Sequence, residues 1–234
     1  MIPIRDDAPR YTTPYINYFL LALNIIVFLF TWLSGPREAQ QIVNLYGMVP
    51  ARTTAFLHGF QGSNSLIAFV PILTSMFLHA SWMHVIFNMW FLYIFGDNIE
   101  DYLGHFRYLL FYLLTGFGAA FLHIFMNPNS TIPSVGASGA IAGVMGAYFI
   151  LYPSARVLTL VPFFFIFFVW LPAWVWLGIW FLGQFLSGAA TAIATTNQTT
   201  GGIAFWAHVG GFIAGVALIK LFPTRPRRYR YFYR

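Results

Sequence analysis

The chain contains no cysteine, and only 8% of its 234 residues are charged, against about a quarter in an ordinary soluble domain. The first absence removes disulfides, thiolate catalysis and cysteine-ligated metals. The second leaves a chain that cannot solvate its own surface. Acids are scarcest: Asp6, Asp7, Glu38, Asp97, Glu100 and Asp101 are all there are. No HExxH pattern is present; His79 and His84 stand five apart with no acid in register, so no metal and no cofactor are expected.

What is abundant is apolar, at 59% of residues. Six runs approach the twenty residues that a helix needs to cross hydrocarbon, at about 15–34, 83–102, 106–126, 138–152, 172–190 and 203–222. They predict an all-α, polytopic membrane protein, a six-transmembrane-helix bundle in one domain over 15–222. A segment 1–14 precedes it and a basic tail 223–234 follows. The first run is too long for a signal-peptide core and lacks a small-residue cleavage pattern, so it reads as a retained span with no targeting peptide before it. Residues 35–82 lack a full-length apolar run and read as a long structured outer loop at the interface. The stretch from Val157 to Leu171, interrupted by Pro162, reads as the approach to the fifth span.

Basic residues collect on the cytoplasmic side of membranes. With both termini inside, Arg5, Arg10, Arg107, Arg156, Lys220 and the arginines of the tail are internal, and only Arg37 and Arg52 are external. The net charge of +6 therefore reports orientation and not nucleic-acid binding. The expected location is a multi-pass position in a prokaryotic plasma membrane, with N and C termini cytoplasmic and the lipid bilayer as the constant partner.

Polar groups inside hydrocarbon are expensive, so those that persist call for partners. Three clusters sit at the heads of spans two, four and six: His79, His84 and Asn88; Gly136-Ala137-Ser138-Gly139; and Ala207-His208-Val209-Gly210-Gly211. In the predicted topology all three enter from the outer face. Ser138 begins a helix of about 22 Å, short of a core about 30 Å thick, and His208 lies roughly 8 Å into its span. The glycines at 139, 143, 146, 211 and 215 permit close helix approach. A serine hydroxyl needs an imidazole to take its proton, so this pair suits acyl transfer. No carboxylate is placed to orient His208, which implies a dyad. His84 and Asn88, spaced i and i+4, share a helix face and with the Ser138 N–H form candidate oxyanion donors. His79 reads as a loop residue supporting the site. Asn17, Asn24 and Gln184 read as interhelical hydrogen-bonding groups.

The ordered set His79-x4-His84-x3-Asn88, then Gly136-Ala137-Ser138-Gly139, then His208 with Gly210, Gly211 and Gly215, resembles the rhomboid family of intramembrane serine proteases. Gly96-Asp97-Asn98-Ile99-Glu100 with Leu103-Gly104, and Leu171-Pro172-Ala173-Trp174, extend the resemblance. It implies Ser138 as nucleophile, His208 as general base and then acid, and His84, Asn88 and the Ser138 amide as oxyanion donors. It further implies transmembrane-helix substrates, cleaved near the outer face after a small residue, with access beside the fifth span. Two positions differ from the pattern. Some members carry an aromatic residue four after the serine, where this chain has Ala142, and the Trp-Arg pair of the first outer loop is replaced by Ala51-Arg52.

Two other functions fit the composition. A rhomboid-like protein that binds transmembrane clients without cleaving them is one, though inactive relatives typically lose the serine or the histidine and this chain retains both. The other is a small transporter or channel with His84, Asn88 and His208 lining a path, which predicts repeats and midplane sites that the sequence does not display. Natural substrate and oligomeric state leave no mark on the sequence.

Overall fold

A computed structural model describes residues 1–60, 64–162, 166–193 and 204–222. The basic tail 223–234 and the first residue of the expected sixth span fall outside the described residues.

Helices dominate: α1 Tyr15–Leu33, α2 Pro36–Tyr46, α3 Pro50–Leu57, α4 Ser65–Thr74, α5 Trp82–Leu103, α6 His105–Met126, α7 Ser138–Leu151, α8 Ala173–Ile193 and α9 Phe205–Leu218. Three of them, α1, α6 and α8, are each long and apolar enough to cross a membrane. Helix α4 with the 3-10 turn Ser75–Phe77 passes the same test jointly with α5, the two being bent by 76° at the break between them. Helices α7 and α9 have 14 residues each, about 21 Å of rise.

The all-α expectation needs correction. Strands β1 Ile2–Asp6, β2 Arg156–Pro162 and β3 Ile166–Pro172 form a three-stranded antiparallel sheet in the order β1-β2-β3. The stretch expected to approach the fifth span is thus two strands, and residues 1–14 contribute a third. The physical reason is composition: Val, Thr, Phe, Ile and Trp favour the pleated state, proline ends β2 and β3, and Pro3 sits in the edge strand β1.

Helix α7 is the core, with every residue from Gly139 to Tyr148 buried. It is held by backbone-to-backbone approach. A Cβ on Gly211 would stand 1.9 Å from the Gly139 carbonyl oxygen, and one on Gly215 would stand 1.9 Å from that of Gly143. On its other side, a Cβ on Gly143 would strike the Thr115 side chain of α6 at 2.2 Å. These glycines set how near α9 and α6 come to α7, and so how near His208 comes to Ser138.

The far end of the bundle is tied by Glu100. Its buried carboxylate accepts the backbone N–H groups of Ile16 at 2.9 Å and Asn17 at 2.7 Å, which caps the start of α1. A negative charge there also suits the helix dipole. Asn17 in turn donates to the Leu92 carbonyl and accepts from Tyr108 Oη at 2.8 Å. Gly96 leaves room for that link, since a Cβ there would lie 2.2 Å from Asn17 Oδ1. The Gly96–Glu100 motif therefore works as a structural clasp between α1, α5 and α6.

Candidate active site

Ser138 is the first residue of α7, half-buried, and follows Gly136, whose φ of +130° no residue with a Cβ adopts readily. The turn is pinned from two sides. Gly136 N–H donates to the Ser75 carbonyl at 2.9 Å, and Ser134 exchanges two backbone hydrogen bonds with Met48. Ser138 therefore stands at the N-terminal end of a helix, where backbone N–H groups have no intrahelical partner.

His208, on the second turn of α9, is buried at 9% exposure and places Nε2 2.7 Å from Ser138 Oγ. Its other ring nitrogen, Nδ1, lies 2.6 Å from Gln184 Oε1 on α8. A carbonyl oxygen accepts only, so Nδ1 carries the proton and Nε2 offers its lone pair to the serine. The Trp180 ring, one turn before Gln184, packs with its centroid 5.9 Å from that of His208. It supplies from α8 the aromatic support that Ala142 lacks.

His84 reaches the same place from α5. Ser81 caps that helix by accepting the His84 N–H at 3.2 Å. The Ala80 N–H donates to His84 Nδ1 at 3.5 Å, which leaves the ring proton on Nε2. Nε2 abuts Gly136, where a Cβ would stand 2.6 Å away and where Ser138 Oγ is 3.6 Å from the same point. Asn88, buried one turn further, donates one amide hydrogen to the His84 carbonyl at 3.0 Å and keeps a second. His79 is buried with both ring nitrogens unpartnered among the described residues, edge-on to His84 at 5.0 Å between centroids. It supports by packing. Gly139 leaves space for Ala119, which a Cβ would approach to 2.6 Å.

Beside Ser138 lies a cavity lined mainly by small residues, among them Ser75, Gly116, Ala119, Gly139, Ala140 and Ala207. Among the described residues no group of three His, Asp or Glu side chains is arranged to hold a metal ion. The arrangement can therefore activate a hydroxyl beside a helix N-terminus and offer hydrogen-bond donors to a developing anion.

Gln184, expected as an interhelical hydrogen-bonding group, makes that bond from α8 to His208 on α9; the packing of Trp180 against His208 was not expected. The spacing of Trp180 and Gln184, i and i+4 on an otherwise apolar helix, is the signal that groups them; nothing in it names His208 as their neighbour.

The family model for the Rhomboid domain matches residues 68–225, more than half of the chain. The chain belongs to the rhomboid family. Rhomboid-like protein 11, chloroplastic, of Arabidopsis thaliana is 31% identical over 172 residues, covering 68% of this chain and 54% of that protein. Rhomboid protease GluP of Bacillus subtilis is 31% identical over 137 residues, covering 57% and 24%. Rhomboid protein 1, mitochondrial, of Saccharomyces cerevisiae is 29% identical over 151 residues, covering 63% and 40%. This rhomboid thus spans between about a quarter and just over half of the length of these relatives. With its apolar helices, family membership makes it a multi-pass membrane protein.

Proposed function

We propose that this rhomboid is an intramembrane serine endopeptidase that cleaves transmembrane-helix substrates through an acyl-enzyme. The observation that carries the proposal is the 2.7 Å approach of His208 Nε2 to Ser138 Oγ, with the opposite ring nitrogen held by Gln184. His208 takes the Ser138 proton as Oγ attacks the scissile carbonyl carbon. The oxyanion is met by the Ser138 N–H, His84 Nε2–H and the second amide hydrogen of Asn88. As the C–N bond breaks, His208 returns the proton to the departing amine. A water molecule, deprotonated by His208, then attacks the acyl carbon, and His208 returns that proton to Oγ as the C–Oγ bond breaks and Ser138 is regenerated.

The small-residue lining of the cavity beside Ser138 supports cleavage after a small side chain. In this reading α1, α5, α6, α7, α8 and α9 are six spans within 15–222, residues 35–82 form the outer loop, and 1–14 with 223–234 belong to the cytoplasmic side, from which β1 folds back beside α5. The short helices α7 and α9 start below the outer surface, which lets water reach the dyad. The basic residues at one end of the bundle support N-in, C-in orientation. A prokaryotic plasma membrane is the proposed location; the organelles in two relatives' names are said of those proteins. Access for the substrate lies beside α8, the least buried of the three full-length spans at 17%.

The test is covalent labelling by a fluorophosphonate of the purified protein in liposomes, together with cleavage of a transmembrane substrate. Native protein labels and cleaves; Ser138→Ala does neither. Cleavage surviving in Ser138→Ala overturns the proposal.

A further inference from the structure

The sheet carries features that proteolysis does not use. The N-terminal segment climbs α5: Thr12 Oγ1 donates to Asp101, Arg10 pairs with Asp97 at 3.1 Å, and Trp90 Nε1 donates to the Pro3 carbonyl at 2.6 Å. Asp101 and Trp90 are eleven positions apart on α5, about 16 Å of rise, or half a hydrocarbon core. Pro3 pairs with Thr159 of β2, so the sheet stands beside α5 at the depth of the leaflet farther from Ser138. The Trp90 indole satisfies a carbonyl on the outer edge of β1, as an apolar setting demands.

The register separates the two faces. Val157 and Thr159 of β2 are fully buried toward the protein. The opposite face carries a row of Arg5, Leu158 and Trp170, then a row of Ile2, Leu160 and Phe168, then Pro162 beside Ile166. Phe168 is 61% exposed and Ile166 67%. Arg5 and Arg156 each place a guanidinium 5.6 Å from the Trp170 ring centroid. Polarity therefore runs along the strands, with cations and Trp170 at the end near Asp97 and only apolar side chains toward the midplane. Asp7 partly offsets Arg156, through Nε to Oδ2 at 2.7 Å. Of the other acids at this end, Asp6 bonds Tyr148 on α7 and Asp97 pairs with Arg10. No ion pair engages Arg5 among the described residues.

We infer that this face is a binding surface for an anionic phospholipid of the leaflet opposite Ser138: its acyl chain lies along Ile2, Leu160, Phe168 and Ile166, and its phosphate meets Arg5 and Arg156 beside Trp170. Three observations select lipid. The face is continuous with the lipid-facing side of α8, where Trp174 and Ile179 are exposed. Its depth is that of acyl chains. Its charged end coincides with the headgroup level, where arginine and tryptophan partition. The inference is independent of the protease reading, because it needs only that α5 spans the membrane.

The cysteine-free chain allows a direct test on the full protein in liposomes. Phe168→Cys and, as a second probe, Ile166→Cys are labelled with bimane, and Ile179→Cys on α8 serves as the lipid-facing reference. Acyl-chain nitroxide lipids quench both sheet positions about as strongly as Ile179, while aqueous iodide does not. Nitroxide phosphatidylglycerol quenches at least twofold more than nitroxide phosphatidylcholine, and Arg5→Gln with Arg156→Gln removes that ratio. Iodide quenching without lipid quenching overturns the inference, as does equal quenching by the two lipids. Protection from both quenchers also overturns it, and a disulfide between unlabelled Phe168→Cys copies then identifies a second chain as the cover.

Discussion

Gln184 Oε1 stands 2.6 Å from His208 Nδ1, the ring nitrogen that Ser138 does not use. The amide oxygen places the ring proton on Nδ1 and leaves the Nε2 lone pair to Ser138, and it does so from α8, an apolar helix with only 17% of its span buried. The position of α8 and the orientation of the His208 ring toward Ser138 are thus linked by one hydrogen bond.

Removing that acceptor in Gln184→Leu is expected to lower kcat/KM by on the order of 10-fold to 100-fold through misorientation of the imidazole. Gln184→Glu places a carboxylate at Nδ1, favours the imidazolium and moves the acid limb of the pH–rate profile to higher pH. The profile is the decisive readout, because a variant that merely loosens packing lowers activity at every pH alike.

Asn88→Ala is expected to cost roughly 10²-fold to 10³-fold in kcat, the range for a lost oxyanion donor. KM and fluorophosphonate binding should change far less than turnover. An effect on KM alone would assign Asn88 to holding the His84 carbonyl, the bond seen at 3.0 Å.

Gly215→Ala and Gly211→Ala each add a Cβ 1.9 Å from a carbonyl oxygen of α7. Each is expected to destabilise by about 1–3 kcal/mol through forced helix separation, measurable as a lower midpoint of thermal unfolding in detergent. Gly178→Ala, where a Cβ meets nothing within 4 Å, is the matched control and should leave the midpoint in place.

Asp7 lies outside the spans, and its carboxyl is held below the ordinary value of 3.8, chiefly by the Arg156 backbone N–H and further by its guanidinium. A depressed acid contributes stability above its unfolded pKa and loses it as pH falls through the lower folded value. Asp7→Asn should therefore unfold more easily than native protein at neutral pH, and the two melting curves should converge as the pH drops below 3.8.

The helical spans were readable because long apolar runs have one economical solution in hydrocarbon, an internally bonded helix. The polar residues among them were conspicuous for the complementary reason: Ser138, His208 and His84 are costly where they stand. The sheet escaped because period-two patterning marks a strand only when one face is polar. In Val157 to Leu171 both faces are apolar, so the run looked like the start of a span.

By itself the sequence determined a cysteine-free, lipid-solvated chain with a serine and a histidine at the heads of two glycine-lined helices. Only the tertiary structure decided that Gln184 and Trp180 hold His208, and that Ile2–Asp6 joins a hairpin beside α5. The first depends on how α8 is rotated against α9, and the second on pairing strands separated by about 150 positions. Residue type states what a side chain is able to do; which neighbour it does it with is settled by packing.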